Sequence, residues 1–240
     1  MKLCVLGNSH VASLKSAWDE ISSQAEFSDV SVTYFANTRQ SMKALRVQDG
    51  KLVPRTERLK EGIRYTSNGL TEIVPEDYDV FLVYGGRFRV HVVDVQSFSD
   101  AVIESWITDS IESSSSIDNC RKLREITDKP IFVGHDPLMA LKREELVANE
   151  TTRYEDVVGL NQKHVFDSLE CTVLSQPENT IYKGQFTKQE YSSGSTSLTI
   201  SDDRLDELHS HTDVWHMNSV FGQLYWAKNM PAIKEQAKAA

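Results

Sequence analysis

The sequence predicts an α/β layered domain with a mainly parallel sheet. Short apolar runs of strand length recur along the chain, several of them closed by glycine. Amphipathic stretches at helical spacing separate them, and no internal repeat interrupts the alternation. In order, Leu3 to Leu6 is an apolar run ended by Gly7, which suits a buried parallel strand. Val11, Leu14, Ala17, Trp18 and Ile21 then recur at helical spacing, with Asn8 or Ser9 where an N-cap is wanted. Val30 to Phe35 alternates as a second strand. Residues 45–75 read as an inserted pair of hairpins, turning at Asp49-Gly50 and at Ser67-Asn68-Gly69. Val80 to Tyr84, closed by Gly85-Gly86, is the strongest central strand.

Further on, a helix is expected from Val92 to about Ile111, a polar break over Ser113 to Ser116, and another helix from about Asp118 to Ile126. Pro130 to Gly134 gives a strand, Val157 to Val173 a helical pattern, and residues 175–203 a loop-rich excursion. Asn218 to Lys228 is a final amphipathic helix. One domain over residues 1–240 is the better count at this length, which allows about 70–75% of the extended-chain surface to be buried.

Composition narrows the function. With 26 basic and 35 acidic side chains the formal net charge is -9, which repels phosphate backbones and argues against nucleic acid as a partner. No apolar run approaches the ~20 residues that span a bilayer, so no membrane partner is expected. Polar Asn8-Ser9-His10 ends the first apolar stretch too early for a signal peptide. The three cysteines, Cys4, Cys120 and Cys171, are odd in number and lack CxxC spacing, which fits a reducing compartment. The expectation is a soluble cytoplasmic protein that needs no cofactor. The sequence leaves its oligomeric state open.

In parallel sheets chemistry gathers outside the carboxyl ends of the strands. Three loops qualify: Gly7–His10, Gly85–Arg89 and Gly134–Pro137. Ser9 lies directly after the first strand, where free N–H groups and the positive end of a helix dipole meet. It is a candidate nucleophile or, read structurally, a cap. It does not fit G-x-S-x-G, because Val11 occupies the second glycine position. Asp213-Val214-Trp215-His216 offers a base for a serine hydroxyl and a carboxylate to orient that base.

Together these blocks resemble the SGNH (GDSL-like) hydrolase superfamily. Gly7-Asn8-Ser9-His10 resembles its first block, usually Gly-Asp-Ser, and Asp213-Val214-Trp215-His216 its last, Asp-x-x-His. Val80 to Tyr84 with Gly85-Gly86 resembles the middle block. The resemblance implies a flavodoxin-like three-layer α/β/α sandwich and hydrolysis or transfer of small acyl esters. Ser9 would be the nucleophile, His216 the base and Asp213 its orienting carboxylate, with the N–H groups of Ser9 and Gly86 holding the oxyanion. Asn8 stands where the family has aspartate, and Arg87 where it has the oxyanion-hole asparagine. Asn8, Asn37, Arg87 and Trp215 are therefore candidates to meet substrate, Asn37 or Arg87 as a replacement oxyanion donor and Trp215 as a wall for a sugar ring. The expected substrate is a small-molecule or carbohydrate ester, possibly O-acetyl.

Other readings use the same residues. An acyltransferase would employ the same triad, and a binding module would use Ser9 only as a cap. A metal-dependent hydrolase would draw on His209, His211, Asp213 and His216, although their spacing departs from H-x-H-x-D-H. His10 and His135 sit on the right side of the expected sheet. His135 is read as satisfying a loop carbonyl. Arg39, Arg46, Arg87 and Arg89 read singly as a solvated basic edge. Phe221, Tyr225 and Trp226 read as core, with Trp215 as the exception.

Overall fold

Alternation along the first strand sets up the layers. In the computed structural model, which describes residues 1–86, 98–140, 154–201 and 207–239, β1 (Lys2–Gly7) turns Leu3 and Val5 to one face and Cys4 and Leu6 to the other. All four side chains are fully buried. β2 (Ser31–Ala36), β5 (Val80–Gly86), β6 (Ile131–His135) and β7 (Cys171–Leu174) complete a five-stranded, wholly parallel sheet of order β2-β1-β5-β6-β7. Counted among sheet strands alone, that order is 2-1-3-4-5, the flavodoxin-like winding. β3 (Leu45–Gln48) and β4 (Lys51–Pro54) form the inserted hairpin, turning through Asp49 and Gly50 at positive φ.

Helices cover both faces. α1 (Val11–Ile21) and α6 (Ser219–Ala239) pack on the side of Leu3, Val5 and Leu82. α2 (Glu57–Thr66), α3 (Asp100–Glu112) and α4 (Ser115–Arg124) pack on the side of Cys4, Leu6 and Val83, while α5 (Tyr154–Asn161) precedes β7. No helix among the described residues is long and apolar enough to cross a membrane.

The α1–α6 contact joins the two ends of the chain. Gly222 lies so close to α1 that a Cβ would fall 2.2 Å from the Ser13 carbonyl oxygen and 2.7 Å from the Ala17 side chain. One turn later, buried Trp226 donates its ring N–H to the Leu14 carbonyl at 2.9 Å and meets Trp18 edge to face. Successive residues of α6 thus meet successive residues of α1, so the two helices run in the same direction. Their N-termini lie side by side, and the residues just before each helix, Ser9 and His216, arrive at one place.

Several elements differ from expectation. The second hairpin is the helix α2, because Leu59, Gly62, Ile63 and Thr66 share one buried face and Thr56 caps it by accepting the Leu59 N–H. Asn68 and Gly69, at positive φ, terminate that helix, with the Gly69 N–H donating to the Arg64 carbonyl. Neither Asn8 nor Ser9 is the cap of α1; His10 occupies that position without a side-chain cap bond. The helical pattern from Val157 ends early, and Cys171–Leu174 becomes the edge strand β7. The final helix continues past Lys228 to Ala239, through Pro231. Residues 92–97 of the helix expected from Val92 lie outside the described residues. α3 itself begins at Asp100.

Candidate active site

The sheet order reverses between β1 and β5: the chain passes from β1 outward to β2, then returns to β5 on the other side. α1, after β1, lies on one face and α3, after β5, on the other, so a crevice opens at the carboxyl ends of these two strands. Gly7 and Gly85 make that crevice tight. A Cβ on Gly7 would lie 2.4 Å from the Tyr84 carbonyl oxygen. Gly85 has φ +97°, and a Cβ there would lie 2.3 Å from Asn8 Oδ1. Gly85→Ala is therefore expected to lower stability by about 2 kcal/mol or more, read as a lower urea midpoint with unchanged m-value.

Ser9 leaves β1 into this crevice, and its Oγ lies 3.0 Å from His216 Nε2. His216 Nδ1 lies 3.0 Å from Asp213 Oδ2. An ionised carboxylate only accepts, so Nδ1 carries the proton and Nε2 is left to accept from the serine hydroxyl. The Asp213 loop is built to hold this arrangement, because Oδ1 accepts the Trp215 N–H at 2.7 Å and the His216 N–H at 2.9 Å. Burial pushes the Asp213 carboxyl up, but hydrogen bonds from the His216 N–H, the His216 ring and the Trp215 N–H outweigh it, and the pKa falls to about 2. Burial lowers His216 below the ordinary histidine value. The Asp213 hydrogen bond opposes that shift without reversing it. The imidazole is thus neutral at neutral pH, as a base must be.

The remaining candidates divide. Gly86 ends β5 beside the crevice, and its carbonyl accepts the Asp136 N–H. Among the described residues no acceptor takes the Ser9 N–H. Trp215 stands next to His216 with 57% of its surface exposed, whereas Phe221, Tyr225 and Trp226 are buried. Asn8 is engaged within the protein. Its amide N–H groups donate to the Gly85 carbonyl and to Asp136 Oδ1, both at 3.0 Å, and its Oδ1 accepts the His10 N–H. An aspartate here would set two carboxylates against each other, which accounts for the amide at a position where the resembled family has an acid. Asn37 is not brought to Ser9 either. It is fully buried against Gly62, with its amide donating to the Arg58 carbonyl and its Oδ1 accepting the Thr38 N–H. Arg87 lies outside the described residues, as does Arg89.

Asp136 enters the sequence reading only through its loop, and His209 only as a candidate metal ligand; both stand at this site. Asp136, on the β6 loop, bridges Asn8 and His10, lying 3.3 Å from His10 Nε2. Its loop position was the available signal. His209 stacks on His216 with ring centroids 3.9 Å apart and planes within 9° of parallel, and His10 stacks on His216 at 4.9 Å. His135, by contrast, is a buried brace. It contacts the Asp136 carbonyl through Nδ1 and the Tyr154 hydroxyl through Nε2, and that hydroxyl accepts the Gln176 N–H at 2.6 Å.

His209, Asp213 and His216 bring one ligand-type atom each within 4.8 Å of one another. Metal ions bind imidazole in the ring plane, along the nitrogen lone pair. Face-to-face rings keep their lone pairs in two separate, nearly parallel planes, and both nitrogens of His216 are engaged by Ser9 and Asp213. As arranged, the donor set does not converge on one ion.

No protein-family model and no curated protein matches the chain. Among solved structures it is similar to the periplasmic domain of a lipopolysaccharide acetyltransferase from Salmonella ser. Paratyphi A. The match has 12% identity and a TM-score of 0.48, and covers 97% of this chain and 83% of that one. That likeness assigns neither activity nor substrate to this protein.

Proposed function

We propose that the protein is a serine esterase or deacylase that hydrolyses small O-acyl esters through an acyl-enzyme on Ser9. The observation that carries this reading is the continuous path Ser9 Oγ to His216 Nε2 and His216 Nδ1 to Asp213 Oδ2, with both links at 3.0 Å. As Ser9 Oγ attacks the ester carbonyl, His216 takes its proton, and Asp213 stabilises the imidazolium formed. The N–H groups of Ser9 and Gly86 receive the negative charge that develops on the carbonyl oxygen. Collapse breaks the acyl–oxygen bond, and His216 returns its proton to the departing alkoxide. Water, deprotonated by His216, then attacks the acyl-enzyme; the acyl–Ser9 bond breaks as His216 returns that proton to Ser9 Oγ, releasing the acid. Trp215, exposed beside His216, gives the alcohol side of the substrate a flat apolar surface. That suits the face of a sugar ring, so an O-acetylated carbohydrate is the substrate class we favour.

A panel of p-nitrophenyl esters from acetyl to octanoyl tests this reading. Turnover of the acetyl ester, falling with chain length, is expected. Inactivity across the whole panel contradicts it. The pH profile makes a second demand. His216 must be uncharged to accept a proton, and its pKa is held below the ordinary value, so kcat/KM should rise with pH along an acid limb whose midpoint lies below ~6.5. A midpoint above that value would remove His216 from the base role.

A further inference from the structure

Two hydrogen bonds at opposite ends of an imidazole define an axis, and they do not stop the ring from turning about it. In His216 these bonds run to Ser9 and Asp213. A base whose ring flaps about that axis misdirects its lone pair during proton transfer, so something must hold the faces. Two rings do. His209 lies 3.9 Å away at 9° and His10 4.9 Å away at 25°. Both rings stack on His216, and His209 is the nearer and the more nearly parallel.

His209 is itself anchored independently of the triad. Its N–H donates to the Ser195 carbonyl at 2.9 Å, and the Ser197 N–H donates to the Glu207 carbonyl at 2.8 Å, so residues 207–209 are strapped to residues 195–197. Its Nδ1 lies 3.6 Å from Asp213 Oδ2, beyond hydrogen-bonding length, and its buried Nε2 has no hydrogen-bond partner among the described residues. The backbone strap and the flat contact with His216 place the ring, with Asp213 Oδ2 within ion-pair reach of Nδ1.

We propose that His209 is a positioning residue for the triad, its ring lying flat on His216 to fix the plane of the base and exclude water from that face. The inference rests on the esterase reading for its kinetic consequence alone; the ring contact and its effect on His216 stand apart from it. Burial lowers both rings first; Asp213, His10 and Asp136 then act on His216, and His216, Asp213 and Glu207 on His209. Removing the His209 ring leaves the carboxylates in place and admits water, so the charged form of His216 becomes easier to reach.

The test compares His209→Ala with His209→Phe, which keeps a flat ring without nitrogens. On p-nitrophenyl acetate the alanine variant is expected to lose about tenfold in kcat with KM little changed, and its acid limb should move upward. The phenylalanine variant should stay within about threefold of the parent and keep the low limb. Proton NMR titration of His216 in a Ser9→Ala background reads the same shift without turnover. Its midpoint should rise with alanine and stay low with phenylalanine. If the alanine variant melts early, His209→Ser, which also opens that face to water, carries the same expectation. A His216 midpoint unmoved by alanine or serine overturns the proposal, even where esterase activity is present. The expected NMR shifts in a protein inactive on every ester would support the positioning role and sink only the esterase reading.

Discussion

Ser9→Ala is expected to lower kcat/KM for an acetyl ester by about 10⁴-fold or more while leaving the melting temperature unchanged. The two halves of this expectation come from the same geometry. The Ser9 hydroxyl bonds to His216 and takes no part in the buried clusters that hold α1 and α6 to the sheet. Its loss removes the nucleophile and leaves the Ser9 N–H, the crevice and the fold intact. Residual activity should then come only from oriented water and the oxyanion donors. Steady-state kinetics beside a thermal melt check both halves. A large loss of stability, or a fall in kcat/KM of only severalfold, would show that Ser9 acts as something other than the nucleophile.

Asp213→Asn is expected to cost a comparable ~10⁴-fold, for a different reason. The asparagine carbonyl can still accept the Trp215 and His216 N–H groups that Oδ1 now takes. Its NH2 then faces His216 Nδ1, where a carboxylate accepts in the parent. The ring must respond by placing its proton on Nε2, pointing at Ser9, so the base becomes a donor. The geometry survives and the chemistry does not. Stability gives an independent readout. The parent carboxyl sits at about 2, below its ordinary value, so its charged form favours the folded state above pH ~4 and that contribution is lost as pH falls from ~4 towards ~2. The asparagine variant should lack this component of the acid sensitivity. Equal acid sensitivity in the two proteins would mean that the hydrogen bonds to Asp213 do not favour its charged form.

Much of this arrangement is legible in the sequence. The strands ending at Gly7 and Gly86 and the helices after Ser9 and before the C-terminus follow from apolar runs and helical spacing, and the parallel sheet follows from their alternation. The convergence of Ser9 with His216 needs one further fact, the close approach of Gly222 to Ser13, which no periodicity announces. The misread segments share a cause, since turn chemistry and short apolar runs serve more than one element. Ser67-Asn68-Gly69 suits a hairpin turn and a helix C-terminus alike, and only the Thr56 cap and the buried face of Leu59 and Ile63 separate the two. Cys171–Leu174 follows a helical segment without a glycine or proline break, so β7 hides in its pattern. Pro231 reads as a stop, yet burial of Met230 and Ile233 against the α1 side of the sheet carries the helix through it at the loss of the hydrogen bond to the Ala227 carbonyl.

Within the site, residues that act through local sequence are legible, and those that act across strands are less so. Asp213 and His216 lie three apart and signal each other. Asp136 gains its meaning only where the β6 loop meets Asn8 and His10, and His209 only where its strap lays it on His216. Asn8 and Asn37 show the converse. Both sit on loops of the expected kind, but their amides serve buried backbone and side-chain partners, which a sequence position alone does not disclose.

The central claim is that Ser9 is a nucleophile activated by His216. Labelling with a fluorophosphonate probe, followed by mass spectrometry of the modified peptide, tests it most directly. One adduct per chain, on Ser9 and lost in Ser9→Ala, is the predicted result. Labelling that persists unchanged in Ser9→Ala, or an adduct on another residue of the wild-type chain, would contradict it.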